Sequence, residues 1–494
     1  MLTDLLMGFQ QVLHPGTLLA LLAGAVSGYF IGAMPGLTPT IGIALLIPFT
    51  YGMAPVPSIV MLVSLYMAAE YGGGITAILV NTPGTPAAAA TALDGYPLAK
   101  QGKAAKALGM SIIASGIGAF ISTILMVLFA IPLATVALKF GAPEYFALAI
   151  FGLSVVAGLS SDNIIKGLMV VAFGLLLTTI GIDPIAGTFR YTFTYNLMEG
   201  IPFTQAMIGL FAISEVFNMI SNKDSTYNEI EKLEGKLPTF SEVRASLFTI
   251  VRGSVIGFVI GMLPAAGANV ACWVSYNAAK NSSKNKDNFG KGELEGIAAA
   301  ESANNSAVCG AMVPLLTLGI PGSSSTAVLI GALMLHGMQP GPLLFDKNPE
   351  IPFSIFASLL IAVPIMLAIG LCGTRIFALV TLIPNNILAA MVLGTCILGA
   401  YALSSSMFGI WIALIFGVIG FFLRKFGFPI APMVLALVLG NMAETNYRVA
   451  MLMGEGNPLI FLTRPLSLAI LILTLILFCA PIIQSKMRAK TASK

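Results

Sequence analysis

The sequence predicts an all-α polytopic membrane protein made of two inverted repeats. Each repeat holds a re-entrant helical hairpin and a helix broken at Pro-Gly, with about 11 spans besides the two hairpins. Three observations carry this expectation: composition, self-similarity and charge placement. Of 494 residues, 57% are hydrophobic and only 9% charged, with a mean hydropathy of +0.93; a soluble domain is far more polar. Apolar segments of about 20 residues, the length that spans a bilayer, recur from Thr17 to Phe478.

Self-similarity is the more specific signal. At a constant offset of 229, Gly24, Val26, Gly28, Ile31, Gly32 and Pro35 meet Gly253, Val255, Gly257, Ile260, Gly261 and Pro264. At an offset of 238, Pro83-Gly84 meets Pro321-Gly322. Paired interrupted segments in corresponding halves point to the binding site of a secondary transporter. Charge placement then sets the topology. Lys100/Lys103/Lys106, Lys280/Lys284/Lys286/Lys291, Arg424-Lys425 and the tail Lys486/Arg488/Lys490/Lys494 are placed on the cytoplasmic side by the positive-inside rule. The loops equivalent to the first two lack that bias: Tyr51 to Ser58 has no charge, and Gly337 to Pro349 has one Lys against one Asp. Opposite bias in equivalent loops is what two halves inserted upside down relative to each other would show.

Taken in order, Met1 to Thr17 has one charge, Asp4, and no basic n-region, so an interfacial helix is expected there and a cleavable signal peptide is not. Residues 17–51 form the first hairpin, tipped at Gly32 to Gly36, and 59–93 the first broken helix. Spans follow near 107–138, 143–160, 164–181 and 202–221, completing a first repeat over 1–221. A polar cytoplasmic linker occupies 222–244. The second repeat, 245–494, opens with a hairpin at 247–279 tipped at Met262 to Gly267, then a broken helix at 295–336. Spans near 352–382, 385–404, 408–423, 429–442 and 463–484 bring the basic tail inside. The repeat extends to Pro143 against Pro384, and to Leu159-Ser160-Ser161 against Leu403-Ser404-Ser405.

Breaks inside a bilayer need partners, because hydrocarbon offers none to a freed N–H or C=O. After the breaks stand small hydroxylic residues: Thr85, then Ser323, Ser324, Ser325 and Thr326. A helix N-terminus with free amides and partial positive charge is an anion site. Carbonyls before the break, with Asn81 and Thr82, suit a hard monovalent cation. The plainer alternative is that Gly and Pro are common in membrane helices and Ser/Thr bond back to the backbone. No Arg or Lys stands in the hairpin tips or breaks, so dipoles, amides, hydroxyls and Asn side chains would hold an anion.

The candidate substrate and ion residues are accordingly Pro35, Gly36, Thr38, Asn81, Thr82, Pro83, Gly84, Thr85, Pro264, Gly267, Asn269, Pro321, Gly322, Ser323, Ser324 and Ser325, with Glu301, Asn304 and Asn305. Glu301 and Asn305 lie one helical turn apart and share a face. Intramembrane carboxylates are functional hypotheses by default, which adds Glu70 and Asp94. Glu70 and Glu301 both follow Ala-Ala and are read as equivalent across a short insertion. Asp94 also reads as a solvated cap near the cytoplasmic lysines. Five scattered cysteines lack C-x-x-C spacing, and His14 and His336 lie far apart, so neither a disulfide framework nor a metal site is expected. The chain has no nucleophile–base pair, no H-E-x-x-H and no G-x-x-x-x-G-K-[ST] loop, so it is not expected to be an enzyme or to use ATP.

At these motifs the sequence resembles the large membrane subunit of the tripartite tricarboxylate transporters, the TctA family. The resemblance rests on Tyr71 to Pro86, Asp94 to Lys103, Ala300 to Asn305, Leu318 to Gly322 and His336 to Pro342, and covers nearly the whole chain. It implies a multi-pass carrier of the bacterial inner membrane with a cytoplasmic C-terminus. It also implies a small TctB-like membrane subunit and a periplasmic TctC-like binding protein that delivers a carboxylate such as citrate, with uptake driven by Na+ or H+. No other cofactor and no nucleic acid is expected. The architecture is similar to elevator-type carboxylate carriers by analogy. Outer loops 184–201, 337–352 and 441–464 would dock the binding protein. A stand-alone carrier or exporter without a receptor is the alternative.

Overall fold

The computed structural model describes residues 2–159, 164–183, 185–221, 235–264, 266–379, 383–476 and 478. The N-terminal helix α1 (Leu2–Leu13) is followed by α2 (Pro15–Ala33), α3 (Pro39–Thr50), α4 (Pro55–Val80), α5 (Ala89–Leu98), α6 (Ala104–Ala137), α7 (Ala142–Leu159) and α8 (Ile164–Thr178). A two-residue hairpin, β1 (Gly181–Ile182) with β2 (Phe189–Arg190), is antiparallel. Then α9 (Phe203–Met207) and α10 (Ser214–Ser221) form one rod joined by a π-helical stretch, Ile208–Ile213. Next come α11 (Phe240–Gly261), α12 (Gly267–Ser282), α13 (Leu294–Leu318), α14 (Ser324–Leu335), α15 (Leu343–Lys347), α16 (Glu350–Leu379), α17 (Asn385–Ser404), α18 (Met407–Lys425), α19 (Ala431–Met453) and α20 (Ile460–Thr463). A last apolar helix, α21, runs Pro465–Ile476. Eight helices among the described residues are long and apolar enough to cross a membrane. This is a multi-pass, all-helical membrane protein.

Local chemistry explains the ends of the elements. Pro15, Pro39 and Pro55 stand in the first turns of α2, α3 and α4, where a missing N–H costs nothing. Thr38 caps α3 by accepting from Ile41 N. Thr239 and Glu242 form a reciprocal capping box at α11, as Ser323 and Thr326 do at α14. Both broken helices end in a left-handed residue, Asn81 after α4 (φ 54°) and Gly319 after α13 (φ 71°). The next N–H in each case reaches back six residues, Thr82 to Thr76 O at 3.3 Å and Ile320 to Pro314 O at 3.2 Å.

The glycines of the self-similar segments are packing surfaces. A Cβ on Gly24, Gly28 or Gly32 would come within 2.1, 2.5 and 2.1 Å of the carbonyls of Met61, Leu65 and Ala69 on α4. On Gly253, Gly257 or Gly261 it would come within 3.1, 2.4 and 2.5 Å of the carbonyls of Ala299, Ala303 and Ala307 on α13. Partner residues on α4 and α13 thus correspond at an offset of 238 throughout. Small residues let these helix backbones approach closely, the usual basis of helix association in lipid. With no insertion in that register, Glu70 falls opposite Val308 and Glu301 opposite Val63. The expected equivalence of Glu70 and Glu301 does not hold.

Other differences follow from local stability. Helix α11 begins at Phe240, inside the expected linker, because the Thr239–Glu242 box starts it there. Linker residues 222–234, the tail beyond Phe478, and Ser160-Ser161 lie outside the described residues. Residues 441–453, expected in an outer loop, continue α19; they contain no helix breaker before Gly454, and Glu444 pairs with Arg448 one turn on at 2.7 Å.

Gly28→Val is expected to destabilise by about 1–3 kcal/mol through overpacking, lowering the melting temperature of the detergent-solubilised protein by several degrees. Gly52→Ala, where a Cβ meets nothing within 4 Å, is the control and leaves it unchanged.

Candidate functional site

Each hairpin sends its returning arm to the broken helix of the other half. The arm α3 packs on α14, and the arm α12 packs on the turn Pro86–Ala88 and on α5. At the second break this brings three helix N-termini together. Thr40, in the first turn of α3, lies 2.9 Å (Oγ1–Oγ) from Ser325, in the first turn of α14. Gly267 opens α12, and a Cβ placed on it would sit 3.5 Å from Ser323 Cβ. The phenol of Tyr66 on α4 closes the group, 3.0 Å from Ser323 Oγ. Free first-turn amides and aligned dipoles make such a junction electropositive with no basic side chain.

The two breaks differ in chemistry. After Pro83-Gly84, the chain runs Thr85-Pro86 into a 3₁₀ turn, where Pro86 has no N–H and Ala88 N is used by Thr85 O at 3.1 Å. After Pro321-Gly322, Ser323 caps a full 12-residue helix. Gly84 and Gly322 are backbone contacts: Gly84 N bonds Gly73 O at 3.2 Å, and Cβ atoms on Gly84 and Gly322 would meet Gly32 O at 2.0 Å and Gly261 O at 2.6 Å.

Between the breaks lies α4. Tyr66 touches the second break, Gly73 touches the first, and Glu70 stands between them, roughly 10 Å of helix in all. Helix α13 crosses α4 here. Asn304 Nδ2 donates to Glu70 O at 3.0 Å and Asn305 Nδ2 to Met67 O at 3.1 Å. Glu301 is fully buried; its Oε1 accepts from Thr91 Oγ1 at 2.6 Å and its Oε2 from Ser115 Oγ at 2.8 Å. Thr91, Ser115 and Tyr66 were invisible to motif reading, since a lone hydroxyl in an apolar helix carries no pattern.

Several expected residues fall elsewhere. Gly36 (φ 90°) faces Glu215, 3.3 Å from a Cβ placed on it, and Glu215 pairs with Arg424; Pro35 sits beside it in the tip. Thr38 is spent capping α3. Asn81 and Asn269 are exposed, Thr82 and Pro83 partly so, while Thr85, Pro264, Pro321 and Ser325 are buried and Ser324 is half-buried. Asp94 is no solvated cap. It is fully buried, with Oδ1 accepting from Gly290, Gly292 and Glu293 N (2.8, 2.9 and 2.9 Å) and Oδ2 from the Tyr276 hydroxyl at 2.8 Å. It clasps the loop between α12 and α13 to the middle of α5.

A cavity of about 720 Å³ opens beside this region, bounded by Thr178, Glu199, Gly319, Gln339, Asn441 and Asn446 among others. It reaches the carbonyl side of the second break at Gly319. Among the described residues that line it, Glu199 is the one carboxylate and none is Lys or Arg. Near its rim an ionic cluster pins the β1–β2 turn to α19: Arg190 to Glu444 at 2.6 Å, Arg448 to Asp183 at 2.8 Å, and Arg190 to Asp183 at 3.4 Å. Backbone N–H groups of Ala186 and Ile185, and then Arg448, hold the Asp183 carboxyl down at about 2.

The family described as "Tripartite tricarboxylate transporter TctA family" matches residues 18–435. A protein of Agrobacterium vitis described as "Uncharacterized 52.8 kDa protein in TAR-I ttuC' 3'region" is 35% identical over 490 residues, 98% of each chain. Another from that organism, "Uncharacterized protein in TAR-II ttuC' 3'region", is 34% identical over 233 residues, 47% of this chain and 96% of its own length. The chain belongs to the TctA family.

Asp94→Asn removes the charge that three amides converge on; hydrogen exchange at Gly290, Gly292 and Glu293 is expected to quicken about tenfold or more, since bonds to charged groups contribute about 1.5–3 kcal/mol each. The Asp183 carboxyl is depressed from a free value of about 3.9, so its contribution is present above about pH 4 and disappears as pH falls toward 2. Intrinsic-rate-corrected exchange at Ile185 and Ala186 is therefore expected to stay slow from neutral pH to about 4 and to rise below it.

Proposed function

We propose that this chain is the large membrane subunit of a binding-protein-dependent secondary transporter that takes up tricarboxylates or related organic acids. The observation that carries the reading is the junction of three helix N-termini at α3, α12 and α14, lined by Thr40, Tyr66, Ser323, Ser324 and Ser325. Multiple dipole ends and hydroxyls bind carboxylate oxygens without a fixed cation, and such dispersed recognition suits a carrier that releases what it binds.

On this reading the two halves are inverted repeats, and the glycine-lined contacts of α2 on α4 and α11 on α13 are their matched frames. The hairpins and post-break helices form the unit that carries the acid, in an elevator-like movement. Family membership supports the partners: a small TctB-like membrane subunit and a periplasmic TctC-like binding protein. The positive-inside bias supports a bacterial inner-membrane setting with a cytoplasmic C-terminus. The cavity at Gly319 is then the outer access route, and the loop 184–201 beside it a docking surface for the binding protein. A sodium or proton gradient drives uptake, and no chemical step on the substrate is catalysed.

The test is uptake of labelled citrate into proteoliposomes holding this chain and its small partner, with and without binding protein, under imposed sodium or proton gradients. Accumulation that needs both the binding protein and an ion gradient is expected; accumulation without the binding protein would mean a stand-alone carrier. Ser323→Ala with Ser324→Ala is expected to cut the initial rate about tenfold, the effect of losing one or two hydrogen bonds to a charged group. The loss of the cap costs about 1 kcal/mol of stability, so folding is checked alongside. Unchanged uptake in that variant would remove the α14 junction from the proposal.

A further inference from the structure

A second polar centre lies apart from the α3–α12–α14 junction, around Glu301. Its carboxylate is fully buried on α13, and no basic side chain pairs with it or with Glu70 among the described residues. Hydroxyls reach both its oxygens, Thr91 from α5 and Ser115 from α6. Gly74 on α4 leaves the space in which the group sits: a Cβ there would be 2.7 Å from Glu301 Oε1 and 3.4 Å from Ser111 Oγ.

Two oxygens at this centre lack a well-formed hydrogen bond. Ser111 Oγ and Asn304 Oδ1 belong to fully buried residues and make no hydrogen bond of normal geometry, although both side chains are close enough to the Glu301 carboxylate to interact with it. The Asn304 amide nitrogen donates to Glu70 O, its oxygen accepts no hydrogen bond, and Asn304 shares a helix face with Glu301 at i, i+3. Orphaned buried oxygens beside an uncompensated carboxylate are costly. One proton would neutralise the carboxylate but could bond only one further oxygen. A small cation would engage the carboxylate and several neutral oxygens at once, and a charge of +1 balances the one carboxylate that Thr91 and Ser115 hold.

We propose that Glu301, Thr91, Ser111, Ser115 and Asn304 form an oxygen-lined site for a sodium-sized monovalent cation. Hydroxyls that donate to Glu301 keep lone pairs for the ion, the hard-oxygen chemistry that alkali cations take. The site joins α5, α6 and α13 around α4, the helix that touches both breaks, so occupancy stiffens the frame on which the α14 junction is held. Its use as a coupling site rests on the carrier reading above; its existence does not, because binding is measured without substrate.

The experiment is thermal unfolding of the purified, detergent-solubilised chain in NaCl, LiCl, KCl or choline chloride at constant ionic strength, repeated at two pH values. Sodium is expected to raise the melting temperature in a saturable way, while choline and potassium do so weakly or not at all. Glu301→Gln is expected to raise the half-maximal sodium concentration about tenfold or more, and Ser111→Ala, which buries no new charge, to raise it measurably. If Glu301→Gln does not fold, Ser111→Ala carries the test. No sodium-specific shift in the unmodified chain, or the same midpoint in the variants, would overturn the site. A shift that follows pH and not sodium would overturn the cation assignment in favour of a proton, and a shift seen only with divalent ions would overturn its charge. Loss of citrate uptake with the sodium shift intact would count against the carrier reading and leave the cation site standing.

Discussion

Backbone polar groups in hydrocarbon must find partners within the protein, and the arrangement of this molecule depends on how two interrupted helices meet that demand. At each break the chain turns through a left-handed residue, Asn81 or Gly319, and the following amide reaches back six residues to Thr76 or Pro314. Gly84 then lies against Gly32 and Gly73, and Gly322 against Gly261 and Ala311. Side chains larger than hydrogen would hold those backbones apart and, at the first break, cost the bond from Gly84 N to Gly73 O. The glycine-lined hairpins are therefore what makes the breaks tolerable, and the breaks in turn place helix N-termini in the interior.

From that constraint the polar chemistry divides into two centres. One is electropositive without cations, where α3, α12 and α14 begin together around Ser323 and Ser325. The other is a buried carboxylate, Glu301, ringed by the hydroxyls of Thr91, Ser111 and Ser115. They are joined through α4, which carries Tyr66 toward the first centre and Gly74 toward the second. On the readings proposed above, the anion site and the cation site share one rigid helix, which gives a direct physical route for linking their occupancies. Asp94 serves a different purpose, closing the loop between α12 and α13 so that the second hairpin's base is fixed.

The end of the molecule at the β1–β2 turn is organised by charge. Asp183, Arg190, Glu444 and Arg448 form a compact, balanced cluster that fixes the β1–β2 turn on the extension of α19. Because backbone N–H groups and Arg448 hold the Asp183 carboxyl well below its free value, this attachment is a static support. The cavity beside it is lined by apolar side chains interspersed with neutral polar ones, and Glu199 is the one carboxylate among its described lining residues.

The sequence by itself determined the helical, multi-pass membrane class and marked both Pro-Gly interruptions, because those follow from local hydropathy and from proline and glycine placement. It also carried the TctA resemblance, which the family match over residues 18–435 bears out. It marked Ser323, Ser325, Glu301, Asn304 and Asn305 as residues out of keeping with their apolar surroundings. Tertiary structure alone decided which of these meet: the exchange of hairpin arms between halves sets Thr40 on Ser325 and Gly267 beside Ser323, and no pattern along a chain records a contact across 285 residues. Packing likewise gave Thr91, Ser111 and Ser115 their places at Glu301 and turned Asp94 from an expected surface cap into a buried clasp. A hydroxyl or carboxylate in an apolar helix has no meaning until its neighbours are known, since burial and partners, not residue type, set what it can do.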